Sequence, residues 1–328
     1  MRALRQKVRL FSLYTRVFIL TLQFVCNWVI PDHDAGVFQW PTDPELELTV
    51  VDKLTGVLVD GLVRWDAHHF LHIAQHGYTY ESNLAFFPLY PLAVRTVASG
   101  LHWLQSDYEI IHFLSLIKIS AVLLSNLFFI LATEELYDLS RRVLKDEYLA
   151  YKAALFFAIN PASIFFSAPY SESLNALLTF YAMAKFTKAF SSKSCVAVSL
   201  ASATRSNSIL NLGFVVYHSL KIVATETILF VRLRPLGPSL IYYLTIVYLL
   251  RTKKMAKDKA EMSTTIANIL GDAIVPGLFN LVGCVVSFIA FQYFCFTHFC
   301  RVTQNKYGKF TLQSLPGDLF SSHFPTFG

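Results

Sequence analysis

The sequence predicts an all-α, polytopic membrane protein, and two observations carry that reading. The 328 residues are 54% hydrophobic and only 15% charged, with a mean hydropathy of +0.46, where an ordinary soluble domain carries about 25% charged residues. The apolar residues fall into runs near the length of about 20 residues that crosses a bilayer. Basic residues cluster beside those runs, at Arg2 to Arg9, Arg141 to Lys145 and Arg251 to Lys259. The net charge of +6 is therefore read as the cytoplasmic flanks of membrane helices, with no nucleic-acid partner. One multi-pass domain, residues 1–328, is the expected organisation. The five cysteines, Cys26, Cys195, Cys284, Cys295 and Cys300, lie in or beside apolar runs, so no disulfide framework is readable.

The first apolar run, "VFILTLQFVCNWVI", ends at Ile30 after a basic N-terminus. With no small-residue cleavage site before Pro31 it reads as an uncleaved signal anchor whose N-terminus is cytoplasmic. Residues 31–109 then form a large first lumenal loop, in which Lys53, Arg64 and Arg95 are outnumbered by acids such as Asp60, Asp66, Glu81 and Asp107. Ile110 to Thr133 is the second span, returned to the cytoplasm by Arg141, Arg142, Lys145 and Lys152. "ALFFAINPASIFFSAPYSESLNALLTFYAMAKF" reads as a hairpin of two apolar arms with a polar lumenal turn from Pro169 to Ser173, and Asn160 before Pro161 as a helix kink. Lys185, Lys188 and Lys193 follow it. "SCVAVSLASATRSNSILNLGFVVYHSL" is a second pair, hinged at Thr204 to Ser208. The crossing number between Thr225 and Lys259 stays open, because "SLIYYLTIVYLL" is short and flanked by Arg232, Arg234 and lysines. Leu278 to Phe299 is the last span, and about six to eight are expected in all.

The stretch "RWDAHHFLHIAQHGY", Arg64 to Tyr78, is the densest in polar chemistry. Asp66 is placed to N-cap a helix from Ala67 to His76 that stops at Gly77. Phe70, Ile73 and Ala74 form one face, with His69, His72, His76 and Trp65 on the adjoining stripe, the pattern of a helix lying at the membrane interface. His72 and His76 have the spacing of a zinc-binding helix, but Ile73 stands where the H-E-x-x-H pattern has its glutamate. The pair therefore reads as interfacial histidines and no metal is expected. For Asp66, spacing leaves open a cap and a general base; for Glu81, a solvated loop acid and a functional one. A carboxylate shielded from bulk water where apolar surface ends can serve as a base near neutral pH. "AFFPLYP", Ala85 to Pro91, reads as an interfacial anchor that could wall a lipid-linked substrate. Lys118, inside the second span, either snorkels or has a role there. Glu172 and Arg205 sit at the two short turns, solvated or facing the same cavity as Asp66. The forked, permanently charged guanidinium of Arg205 suits a phosphate.

"RWDAHHFLHIAQHGYTYESNLAFFPLYP" closely resembles the lumenal signature of the PIG-V family of mannosyltransferases, approximately W-D-A-x-H-F-x-x-I-A-x-x-G-Y-x-x-E-x-x-x-A-F-F-P-x-x-P. "NPASIFFSAPYSESLNALLTF" and "ATRSNSILNLGF" resemble two later segments of that family in the same order. The resemblance implies an endoplasmic reticulum enzyme of GT-C type fold. It would take mannose from dolichyl phosphate mannose and add the second, α-1,6-linked mannose to a mannosylated glucosaminyl-phosphatidylinositol acceptor, with inversion. By position Asp66 is the matched acid of the first lumenal loop, and His69, Glu81, Glu172 and Arg205 match further polar positions read as substrate-binding. No cofactor and no metal are expected. The implied partners are donor, acceptor, the bilayer and a small membrane subunit. Family members run on past this chain, so truncation at the C-terminus is expected. An inactive membrane subunit that keeps the binding loop is the alternative.

Overall fold

One long helix organises everything else. The computed structural model describes residues 2–30, 47–105, 110–187, 192–232, 263, 266–267 and 269–301, and every regular element among them is helical. The helices are α1 (Arg2–Val29), α2 (Val50–Val59), α3 (Asp66–His76), α4 (Leu89–Trp103), α5 (Phe113–Leu144), α6 (Glu147–Ala158), α7 (Glu172–Phe186), α8 (Ser192–Ser202), α9 (Leu212–Arg232) and α10 (Val275–Cys295). α5 touches α1, α2, α3, α4, α6 and α7. Its buried positions include Ser115, Ser120, Ala121, Ser125 and Ala132, small residues that let neighbouring helices approach closely where apolar burial alone gives little drive.

Local chemistry sets the reversals. Lys145 takes a left-handed conformation at φ 57°, ending α5, and Asp146 caps α6 by accepting from the N–H groups of Tyr148 and Leu149 at 2.7 and 3.0 Å. The end of α5 also collects charge. Arg5 and Arg9 of α1 both pair with Glu134, Arg5 reaches Asp138 at 3.4 Å, and Arg142 donates to the carbonyl of Ala184 at the end of α7. The predicted second span stopped at Thr133, where charges begin. The helix runs on to Leu144 because those charges are paired across α1.

Among the described residues four helices are long and apolar enough to cross a membrane: Ala3–Val29, Phe113–Leu144, Ser206–Thr225 and Val275–Phe299. The arms expected around the turn from Pro169 to Ser173, α6 and α7, are shorter at 12 and 15 residues, as is α8, the first arm of the second pair, at 11. At about 1.5 Å per residue they fall short of a hydrocarbon core of about 30 Å. Asn160 does not kink a continuous helix. It stops α6, its Nδ2 donating to the carbonyl of Phe157 at 2.7 Å. The part of the expected loop at residues 31–46 and 106–109, the stretch "SLIYYLTIVYLL" and the polar tail lie outside the described residues.

Breaking a helix inside an apolar bundle leaves carbonyls in need of donors. Arg16 of α1, 1% exposed, supplies them. Its guanidinium donates to the carbonyls of Ala158 and Ser163 at 3.2 and 2.9 Å and to the hydroxyls of Ser163 and Ser167 at 2.9 and 3.0 Å. It lies 3.8 Å over the Phe129 ring of α5.

The first loop packs on protein. Ala67, Phe70, Leu71, His72, Ile73 and Ala74 of α3 are buried, with Ala67, Phe70, Leu71 and Ala74 in one core with Tyr90 and Val94 of α4 and Ile117 and Ala121 of α5, while Asp66 and His76 stay exposed. "AFFPLYP" likewise points inward. Phe87 packs on Phe288 and Phe291 of α10, and the Tyr90 hydroxyl lies 2.8 Å from that of Ser125. Lys118 pairs with the half-exposed Asp60 at 2.5 Å.

Gly77 ends α3 as expected, though at φ 79°, ψ −160°, a region open essentially to glycine alone and distinct from the left-handed helical one. Space is free around it, so Gly77→Ala tests the backbone and nothing else. We expect a loss of about 1–3 kcal/mol. Gly100, inside α4 with equally open space, should gain about 0.5–1 kcal/mol as Ala. Thermal melts of the two variants in detergent should move in opposite directions; a Gly77→Ala midpoint at or above the parent's would refute the strain.

Candidate active site

The break after α6 is where the second motif places its polar residues. A single turn of 3-10 helix, Ser163–Phe166, follows Asn160, and the Ser173 hydroxyl closes the turn by donating to the carbonyl of Phe166 at 2.7 Å. Tyr170, 6% exposed, leaves this turn toward the first motif. Its hydroxyl donates to the carbonyl of Arg64 at 2.8 Å. Its ring stacks on Phe165 at 5.6 Å, and Phe165 in turn on Trp65 at 6.5 Å. Burial first, then the charges of Asp66 and Glu172, push the Tyr170 phenol well above its ordinary range. One buried ring thus stands within electrostatic reach of two of the expected site acids.

Asp66 is not the cap of α3. Trp65 occupies the N-cap at φ 47° with no side-chain capping bond, and Asp66 is the first helical residue, where the helix dipole favours a carboxylate. Asp66 is exposed, on a helix whose other face is sealed in the core. His69 follows one helical turn later on the same side. Its Nδ1 lies 2.8 Å from Oδ1 of the fully buried Asn83, and its ring stacks on Phe86 at 4.6 Å.

Glu172 begins α7, and Arg205 immediately precedes the 3-10 segment Ser206–Asn211. Their side chains form an ion pair, and Nη1 of Arg205 also reaches the Ser171 hydroxyl at 3.4 Å. Two further bonds brace the same junction, Ser208 to Asn175 at 2.5 Å and Asn211 to Thr179 at 3.0 Å. The pairing joins the start of α7 to the end of α8, so these packed helices run antiparallel. Glu172 and Arg205 therefore meet at the end of the bundle to which Tyr170 ties the turn before Asp66. The fifth expected residue, Glu81, is exposed at the start of the 3-10 turn Glu81–Ala85, the turn that also carries Asn83, the partner of His69.

His72 and His76 stack at 5.0 Å, and His72 Nε2 lies 2.6 Å from the Thr79 hydroxyl. No group of three or more His, Cys, Asp or Glu side chains among the described residues could hold a metal ion. Asp32, His33 and Asp34 spell the D-x-D pattern of metal-dependent transferases, a signal the expectation of metal independence passed over; they lie outside the described residues. The residues to which sequence reasoning gave no role at the site are Trp65, Tyr170, Asn83 and Arg16. Trp65 had a cue in the W-D-A start of the signature, and Tyr170 in its place inside the turn from Pro169 to Ser173.

Residues 5–256 match the family described as Mannosyltransferase (PIG-V). The chain is 40% identical over 214 residues to "GPI alpha-1,6-mannosyltransferase 2" of Rattus norvegicus, an alignment covering 65% of this chain and 42% of the relative. The Homo sapiens protein of the same name gives the same figures. "GPI mannosyltransferase 2" of Drosophila pseudoobscura pseudoobscura is 38% identical over 222 residues, covering 65% of this chain and 48% of the relative. The chain spans somewhat less than half the length of these relatives. No solved structure matches.

Burial first, then the neighbouring charges of His76 and His69, lower the His72 pKa from 6.5 to about 4. The unfolded chain takes up this proton near pH 6.5 and the folded chain resists it down to about pH 4, so stability falls as pH drops through that window. Between pH 7 and pH 5 the loss should be about 2 kcal/mol. His72→Gln should remove that part of the pH dependence, read from unfolding at the two pH values. An unaltered dependence in the variant would contradict the assignment.

Proposed function

Because the chain belongs to the PIG-V family of mannosyltransferases, we propose that it transfers mannose from dolichyl phosphate mannose to a mannosylated glucosaminyl-phosphatidylinositol, forming the α-1,6 linkage of the second mannose. The observation that carries this reading is the convergence on Tyr170, which bonds to Arg64 beside Asp66 and precedes Glu172, itself paired with Arg205. Three separated segments thus place a carboxylate, a guanidinium and an aromatic wall at one end of a membrane bundle.

The β-linked donor and α-linked product call for one in-line displacement. The acceptor 6-hydroxyl oxygen attacks the anomeric carbon and Asp66 takes its proton. The bond from that carbon to the phosphate oxygen breaks, and dolichyl phosphate leaves with the electron pair. Asp66 is exposed and not shielded as the sequence suggested; what supports the role is its place on a rigid, core-packed helix, open to an incoming acceptor, the condition for holding a base in near-attack geometry. Arg205 engages Glu172 and Ser171 through Nη1, which leaves the rest of its fork for a phosphate oxygen, a charge placed where the leaving group gathers it. His69 and Glu81 are assigned to the sugar hydroxyls. In this reading the basic end, with Arg5, Arg9, Arg141 and Arg142, faces the cytoplasm. The opposite end, with Asp66, faces the lumen of the endoplasmic reticulum. A small membrane subunit remains part of the proposal.

Complementation of cells lacking the second mannose of the anchor tests the assignment, read as surface display of anchored proteins. The native chain should restore display, and Asp66→Asn should reduce transfer in microsomes by about 100-fold or more. Equal rescue by the two chains would remove Asp66 as the base.

A further inference from the structure

The residue before Asp66 is held in a conformation its side chain does not favour. Trp65 lies at φ 47°, ψ −119°, the region of the first central residue of a type II′ turn, where glycine is the usual occupant. The turn is closed, with the Ala67 N–H donating to the Arg64 carbonyl at 3.0 Å, which makes Asp66 its second central residue. Strain of this kind persists only where the surroundings enforce it, and here they do. The Tyr170 hydroxyl donates to the same Arg64 carbonyl at 2.8 Å. The Trp65 ring lies against Phe165, which also stacks on Tyr170. Nη2 of Arg64 donates to Oδ1 of Asn27 on α1 at 3.3 Å. Phe165 and Tyr170 belong to the segment that Arg16 anchors.

We propose that Tyr170 and Trp65 are positioning residues: the Tyr170 hydroxyl and the Trp65–Phe165 stack clamp a strained turn and thereby fix the direction of the Asp66 carboxylate. This rests on the reading of Asp66 as the base. A glycine at position 65 would relax the turn but surrender the ring that docks it, so the tryptophan trades ease for a fixed carboxylate. In this proposal both act through the turn and not on the reacting atoms. Their effect belongs in turnover and not in substrate affinity, because a displaced base weakens the transition state and leaves ground-state binding nearly intact.

The test has a spectroscopic arm and a kinetic arm, both on the full chain in detergent or microsomes. With Trp28, Trp40 and Trp103 changed to Phe, Trp65 is the sole indole. Trp65 is already half-exposed, and Tyr170→Phe should raise its quenching by acrylamide further, since the clamp that holds the ring against Phe165 is gone. In transfer assays Tyr170→Phe should lower kcat roughly tenfold with KM for the donor within about twofold, and its melting midpoint should stay near the parent's. Unchanged quenching, unchanged kcat, or a raised KM with kcat intact would each overturn the proposal. If Tyr170→Phe fails to fold, Trp65→Gly decides: it should keep the melting midpoint and lose kcat, and full turnover would overturn the clamp. If Asp66→Asn retains activity, the base reading falls while the quenching result stands. If Asp66→Asn is inactive and Tyr170→Phe fully active, this inference alone falls.

Discussion

The guanidinium of Arg16 is the constraint on which the rest of the molecule turns. Inside a bundle of apolar helices every backbone polar group must be satisfied by protein, and the chain from Asn160 to Ser171 abandons the helical ladder that would do so. One side chain from α1 makes good the loss, giving hydrogen bonds to Ala158, Ser163 and Ser167 while resting on Phe129. The interruption is thereby a rigid feature. It is also why α1, α5 and the start of α7 keep a common register, since Arg16 touches α5 and the broken segment at once.

From that anchored segment the site follows by short steps. Phe165 and Tyr170 project toward the turn at Trp65 and dock it. Glu172 starts α7 and receives Arg205 from the end of α8. α3 is driven into the core by Phe70, Leu71 and Ile73, which fixes its N-terminal residue Asp66 at the surface beside Tyr170. The interactions at the opposite end, Glu134 with Arg5 and Arg9, set the pitch of α1 against α5. The two ends of the bundle thus differ in charge, one joining Arg5 and Arg9 to Glu134 and the other pairing Glu172 with Arg205.

Much of this was legible in the residues. The apolar runs predicted α1, α5 and α10, because length and composition alone decide which segments can span. The turns around Glu172 and Arg205 were readable from polar residues between apolar arms, though not that the two side chains pair. What escaped depends on contacts between residues far apart in the chain. Nothing near Trp65 signals a positive φ; the enforcing bond comes from Tyr170, 106 residues away. A helical-wheel argument cannot see that His72 is buried against Thr79 and Tyr80 while His76 and Trp65 stay exposed. Lys118 and Asp60 are likewise 58 residues apart. Arg16 stood at the edge of a basic N-terminus and gave no sign that a helix break 147 residues on would need it.

The central claim is that three separated segments meet at one end of the bundle, away from the basic end. In a chain freed of native cysteines, Asp66→Cys, Glu172→Cys and Arg205→Cys should react with a membrane-impermeant maleimide only after sealed microsomes are opened, while Arg9→Cys and Lys193→Cys should react before. Labelling of any of the first three from the same side as Lys193→Cys would contradict the account.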